Sequence, residues 1–88
     1  MGESEREGGG GSAATTRVLD VKGLACPLPV LRAKKAMRDV PAGEVLEVLA
    51  TDPGAVKDFE AFCKVTGHTL VDCRDDAGVF RFRIRKKG

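Results

Sequence analysis

Residues 17–38 read RVLDVKGLACPLPVLRAKKAMR, and the fold is set in this stretch. Arg17-Val18-Leu19-Asp20-Val21 is an apolar-rich strand pattern, ended by Lys22-Gly23. Pro27 to Arg38 predicts a helix. Val30, Leu31, Lys34 and Met37 share one side, with only the aliphatic stem of Lys34 at its edge. Arg32, Lys35 and Arg38 share the other. Pro27 suits the first helical position, where its missing N–H has no intrahelical partner to lose.

Outward from this stretch the periods alternate. Pro41-Ala42-Gly43 is a stop and turn. Glu44 to Ala50 (EVLEVLA) is β-branched and apolar, a central strand by composition. Asp52-Pro53 reads as a helix start, an Asp cap with Pro behind it, and the helix runs to about Thr66. Val56, Phe59, Cys63 and Thr66 form its stripe, with Phe62 beside it, and Gly67 supplies a left-handed stop. Thr69 to Arg74 is a strand and Asp75-Asp76-Ala77-Gly78 a hairpin turn. In Val79 to Arg85, Phe80, Phe82 and Ile84 alternate with Arg81, Arg83 and Arg85. The order β-α-β-α-β-β predicts an α+β fold. It is a two-layer α/β sandwich, with two helices on one face of a four-stranded mixed sheet. Alternation puts Val45, Leu49, Val71 and Cys73 on the open face. That face either docks partners or is screened by long Arg and Lys stems.

On the N-terminal side, Met1 to Thr16 predicts a disordered, Gly-rich tail, leaving one domain over residues 17–88. The tail has three Glu, one Arg and no apolar stretch, so it does not read as a signal peptide. Arg6 stands where a myristoylation signal wants Ser or Thr. No apolar run approaches the roughly 18 residues of a membrane span. A cytoplasmic protein is expected. The three Cys form no CxxC pair and there is one His, so zinc-ligand spacing is absent and no metal is predicted. The net charge of +2 falls short of a dedicated nucleic-acid binder.

The chemistry concentrates at Cys26-Pro27-Leu28-Pro29. Pro27 biases Cys26 away from helical dihedrals and so holds it at the N-cap. Pro29 falls in the first turn, where its missing donor is harmless. Free N–H groups and the helix dipole then favour an anion, so the thiol is expected to titrate below the free value of about 8.5. Lys22 would add to this effect if it points there. Gly23 allows close backbone approach. The plainer alternative is a Cys-Pro corner that is only a turn, since Cys is a poor N-cap. Cys63 reads as core and Cys73 as a structural strand residue. His68, just past the second helix, reads as a surface or partly packed His. No general base is evident.

The segment Leu19-Asp20-Val21-Lys22-Gly23-Leu24-Ala25-Cys26-Pro27-Leu28-Pro29-Val30 resembles the signature of the TusA/SirA-like sulfurtransferase family. Further matches follow in order: Pro41-Ala42-Gly43-Glu44, Ala50-Thr51-Asp52-Pro53, Phe62-Cys63, Gly67-His68 and Phe80-Arg81-Phe82. The likeness spans nearly all of Arg17 to Lys87. It implies the fold that the periods reach separately. It also implies that Cys26 accepts sulfane sulfur as a persulfide from a cysteine desulfurase or rhodanese-like donor and relays it to an acceptor protein. Family outlets are tRNA thiolation, molybdenum-cofactor synthesis and sulfur oxidation. Asp20, Pro27 and Pro29 carry over as residues that shape the surroundings of Cys26, and Gly23 joins them. No metal or organic cofactor is implied.

Lys22, Arg32, Lys35 and Arg38 offer either a docking face for acidic partner surfaces or an ordinary solvated face. Two rival readings stand beside the carrier. One is a small RNA-binding or protein-interaction module using Arg81, Arg83, Arg85, Lys86 and Lys87. The only aromatics are four Phe, and Phe80 and Phe82 fit the core better than a base-stacking platform, so direct nucleic-acid binding is not expected. The other is a redox thiol protein, which the lack of a neighbouring resolving Cys disfavours.

Overall fold

The structure, a computed structural model, describes residues 17–88. The expected tail, Met1 to Thr16, lies outside the described residues. The elements are β1 (Arg17–Asp20), α1 (Leu28–Met37), β2 (Val45–Ala50), α2 (Ala55–Thr66), β3 (Thr69–Asp76) and β4 (Val79–Arg85). They form one four-stranded sheet in the order β1-β2-β4-β3. β1 pairs with β2 in parallel, and the other two pairings are antiparallel. The expected β-α-β-α-β-β order and mixed sheet are observed.

Both helices cover the same face. Leu46 and Val48 of β2 stand opposite Ile84 and Phe82 of β4, and all four are buried. Ala33 and Met37 of α1 and Ala55, Phe59 and Cys63 of α2 close over them in one cluster. Phe59 and Phe82 meet with ring centroids 4.5 Å apart, so α2 is seated on β4 by an aromatic pair. Gly67 ends α2 at φ +86°, donating its N–H to the Cys63 carbonyl at 2.9 Å. The Ala77-Gly78 turn has positive φ at both residues, the geometry that matches strand twist in a two-residue hairpin.

Four details differ from the sequence reading. The buried stripe of α1 is Pro29, Ala33 and Met37, with Leu31 51% exposed. The small Ala33 and the ring of Pro29 let the helix lie close to the sheet, and the longer apolar side chains are turned toward α2. Cys73 is not on the open face. The register slips between Leu70 and Asp72, so Val71 takes the bulge and Cys73 faces Phe82. The helix boundaries also move inward, with Pro27 as N-cap of α1 and Gly54 as N-cap of α2. Finally, Lys86 is not part of a charged outer face. Its Nζ donates to the carbonyls of Met37 (2.7 Å) and Val40 (2.9 Å), satisfying the C-terminal end of α1.

The open face holds Val45 and Leu49, as expected, among charges. Arg81 donates to Glu47 Oε2 at 2.8 Å and reaches Asp76 at 3.5 Å, while Arg83 stands opposite both Glu47 and Asp72. Phe59→Ala is expected to lower stability by about 3–5 kcal/mol, the cost of removing a buried aromatic and leaving its cavity. Urea unfolding checks this, and a shift under about 1 kcal/mol would contradict the seating of α2 on β4.

Candidate functional site

The parallel pairing of β1 and β2 decides where the chemistry sits. Parallel strands end at the same edge of a sheet, so the loop after β1 and the loop after β2 emerge side by side. Val21 extends the pairing, donating its N–H to the Leu49 carbonyl at 2.8 Å. Two side chains of the second loop then hold the first. Thr51 Oγ1 accepts the Gly23 N–H at 2.9 Å, and Asp52 Oδ2 accepts the Cys26 N–H at 2.8 Å. The Asp52 carboxylate is therefore aimed at the Cys26 loop and does not cap α2, which has no side-chain cap. Only the Asp52 backbone carbonyl serves that helix, accepting from the Ala55 N–H.

Cys26 is exposed and free. The Cys26–Pro27 peptide is cis. Its Sγ hydrogen-bonds Asp58 Oδ2, a group from the first turn of α2. Gly54 lies directly beneath, and a Cβ there would stand 3.3 Å from Asp52 Oδ2 and 3.6 Å from Cys26 Cβ. Three groups of the second loop and helix, Thr51, Asp52 and Asp58, thus define the position of Cys26.

This geometry reverses the expected electrostatics. Cys26 is not the N-cap, and few N–H groups at the start of α1 are free to serve an anion. Pro27 and Pro29 have none, and the Leu28 N–H is committed to the Ala25 carbonyl at 2.9 Å. The nearest charges are negative. The hydrogen bond to Asp58 holds the Cys26 thiol above its ordinary value, with smaller contributions from desolvation and from the charges of Asp58 and Asp52. Lys22 does not offset them, because its Nζ is paired with Asp20 Oδ2 at 2.9 Å. Asp20 also accepts the Lys22 N–H at 3.0 Å, and these bonds hold its carboxyl below the usual carboxylate range. Asp20 and Lys22 therefore form a local clasp on the loop. Gly23 is required for its φ of +84°, and nothing within 4 Å occupies the place of a Cβ.

Of the other two cysteines, Cys63 is buried in the core and Cys73 is exposed on β3. Burial raises the Cys63 thiol, and Cys73 is raised by burial and then by Glu60, Asp72 and Asp75. His68 accepts the Lys87 N–H on Nδ1 at 2.9 Å. Burial, then Lys86 and Lys87, lowers its pKa.

Beside Cys26 a groove of about 400 Å³ runs between the helices from Pro27 and Asp58, past Val30 and Phe62, to Thr66. Leu31 and Val65 form its rims, and Val65 is 85% exposed. Lys34, Phe62 and Thr66 also line the adjoining depression that holds Arg38, His68 and Lys86, so the far end of the groove is cationic. Arg32 and Lys35 are placed together on the opposite flank of α1, against Leu19 and Asp39. The four basic residues singled out from the sequence therefore do not form one face.

Sequence reasoning missed Asp58, Thr51 and the exposed Leu31 and Val65. Thr51 lay within a matched motif without a role, and Asp52 reads in the sequence as the cap of the second helix, whereas its carboxylate holds the Cys26 loop. Asp58 carried no local signal, since an Asp in a first helical turn is ordinary.

A family model for sulfurtransferase TusA matches residues 17–86. The chain belongs to the TusA family. The sulfur carrier protein TusA of Allochromatium vinosum is 54% identical over 68 residues, covering 77% of this chain and 90% of that protein. TusA of Pseudomonas putida strain GB-1 is 46% identical over 70 residues, 80% of this chain and 88% of the relative. Among solved structures, the SirA-like protein of Desulfitobacterium hafniense superposes with a TM-score of 0.72 at 28% identity, over 84% of this chain and 100% of that one. The family fold is the one described above. No helix among the described residues is long and apolar enough to cross a membrane.

The raised Cys26 thiol leaves less thiolate at pH 7 than free cysteine has. Its alkylation by iodoacetamide is expected to be slower than that of free cysteine, with a midpoint above about 8.5. Peptide-resolved mass spectrometry across pH separates Cys26 from Cys73, and a Cys26 midpoint below 8.5 would contradict the assignment.

Proposed function

We propose that this TusA-family chain is a sulfur carrier that holds sulfane sulfur as a persulfide on Cys26. A donor such as a cysteine desulfurase or a rhodanese-like protein fills it, and a downstream acceptor protein empties it. The observation that carries the reading is the presentation of Cys26: an exposed thiol, fixed by Thr51, Asp52 and Asp58, at the head of an apolar groove. The relatives named as sulfur carriers match nearly the whole described chain, and that supports the same reading.

Two thiol exchanges make the cycle. In loading, Cys26 sulfur attacks the terminal sulfur of a donor persulfide, the donor S–S bond breaks, and the donor leaves as a thiol. In discharge, an acceptor nucleophile takes the outer sulfur and Cys26 returns to a thiol. This is transferase chemistry of a carrier type, since donor and acceptor are themselves proteins. The acceptor belongs to tRNA thiolation, molybdenum-cofactor synthesis or sulfur oxidation, and the cytoplasm is the compartment that suits three unpaired thiols. Asp20, Gly23, Pro27 and Pro29 act by shaping the Cys26 loop. Partners dock on the groove, whose apolar rims lead to a cationic end at Lys34 and Arg38, and an acidic partner surface wide enough to span α1 also meets Arg32 and Lys35 on its other flank. Lys22, paired with Asp20, contributes little net charge to that surface.

The rivals find less support. Arg81 is engaged by Glu47 and Asp76 and Lys86 by the carbonyls of Met37 and Val40, which interrupts the C-terminal cationic row, and Phe80 and Phe82 pack with the core rather than offering stacking rings. A redox pair with Cys63 would need a thiol that lies buried in the core.

Incubation with a cysteine desulfurase and cysteine, followed by intact mass without reductant, is expected to show one added sulfur. Cys26→Ser abolishes it and Cys63→Ser keeps it. An adduct on Cys63, or none from any donor tried, overturns the carrier assignment. Reversing charge with Arg32→Glu and Lys35→Glu together is expected to slow loading by a protein donor by about 10-fold at low salt, with the difference shrinking as salt rises. Stopped-time mass spectrometry measures this.

A further inference from the structure

We propose that Asp58 is a catalytic residue, the carboxylate that moves the Cys26 thiol proton to the departing donor sulfur during loading and reprotonates Cys26 on discharge. The inference rests on the persulfide reading of Cys26 and adds to it a base that the sequence does not reveal.

The geometry distinguishes two carboxylates. Asp52 Oδ2 is occupied by the Cys26 backbone N–H at 2.8 Å, so Asp52 holds the loop. Asp58 Oδ2 instead meets Sγ itself. Asp58 is fixed in turn by its place one turn into α2, where its own N–H reaches the Gly54 carbonyl at 3.3 Å. The positive end of the α2 dipole stabilises a carboxylate at that position. The charged groups facing the thiol are Asp58 from α2 and Asp52 from the loop after β2, while Lys22 from the loop after β1 is paired with Asp20. A hydrogen-bonded pair of nucleophile and carboxylate is the arrangement general-base catalysis requires.

The step balances without any added oxidant or reductant. The Cys26 S–H bond breaks and its proton passes to the Asp58 carboxylate. The freed electron pair attacks the terminal sulfur of the donor R–S–SH, forming a new S–S bond. The old S–S bond breaks and R–S⁻ departs, taking the proton from the Asp58 carboxylic acid. Cys26 sulfur is oxidised to the persulfide level as the donor sulfur is reduced to a thiol. Discharge runs the same transfers in reverse. In the empty carrier the same carboxylate opposes formation of a free thiolate, so the thiol is quiet toward stray electrophiles and reacts where the proton has somewhere to go.

Asp58→Asn keeps the shape and still accepts an S–H hydrogen bond, but it carries no charge and takes no proton. Two rates on the full chain test it at pH 7: alkylation by iodoacetamide, and loading from glutathione persulfide read by intact mass. Alkylation is expected to rise while loading falls, on the order of 10²-fold for a lost general base. Asp58→Glu, which keeps a carboxylate, is expected to regain part of the loading rate and guards against a folding defect in Asp58→Asn. Loading by Asp58→Asn as fast as wild type, or faster, would reduce Asp58 to an electrostatic brake and overturn the proposal. No change in either rate would do the same. The small persulfide reacts without a protein donor, so failure of the carrier reading would show separately, as wild type that glutathione persulfide loads but no desulfurase does.

Discussion

The parallel pairing of β1 with β2 is the constraint on which the site depends. Without it the two loops at the ends of these strands would have no common edge. With it, Cys26 arrives from the first loop, Thr51 and Asp52 from the second and Asp58 from the helix that follows it, although 25 to 32 residues separate them from Cys26 in sequence. The pairing is itself secured by α1, which has to cross back over the sheet face to bring the chain to a second parallel strand. The buried line of Pro29, Ala33 and Met37 keeps that crossing close. Core packing and site geometry are therefore two results of one topological choice.

The two prolines act in a second way as well. They fix the corner at Cys26, and they also delete donors from the start of α1. A helix N-terminus is favourable to an anion because it has unpaired N–H groups. Pro27 and Pro29 have none to offer, and Leu28 gives its own to Ala25. The sign of the local field at Sγ is consequently set by the carboxylates of the neighbouring loop and helix, and the thiol form is favoured.

The fold was legible because each element declares itself locally. Strict alternation in Val79 to Arg85, the glycine stop at Gly67 and the apolar run Val45 to Ala50 need no knowledge of tertiary contacts. Cys26 was legible for the same reason, as a rare residue in a rare run. What was not legible depends on pairing. The bulge at Val71 reverses the face of Cys73, and nothing in Thr69 to Arg74 announces the slip. Leu31 looks like core in any helical wheel, yet Ala33 occupies the contact with the sheet. Asp58 touches Cys26 only because two loops coincide, and Lys86 caps α1 only because β4 ends beside it.

The place of β4 bears on how the chain is born. It is the last of the four strands to be translated, yet it lies inside the sheet, between β2 and β3. While the ribosome is still adding residues 79–85, one edge of β2 is bare and β3 has no neighbour. The closing carbonyls of α1 likewise wait for Lys86. The halves of the Cys26 site come from the segments β1 to α1 and β2 to α2, all translated earlier. Its parts thus precede its support in the chain, and the sheet beneath the thiol is complete only once the fourth strand slots in.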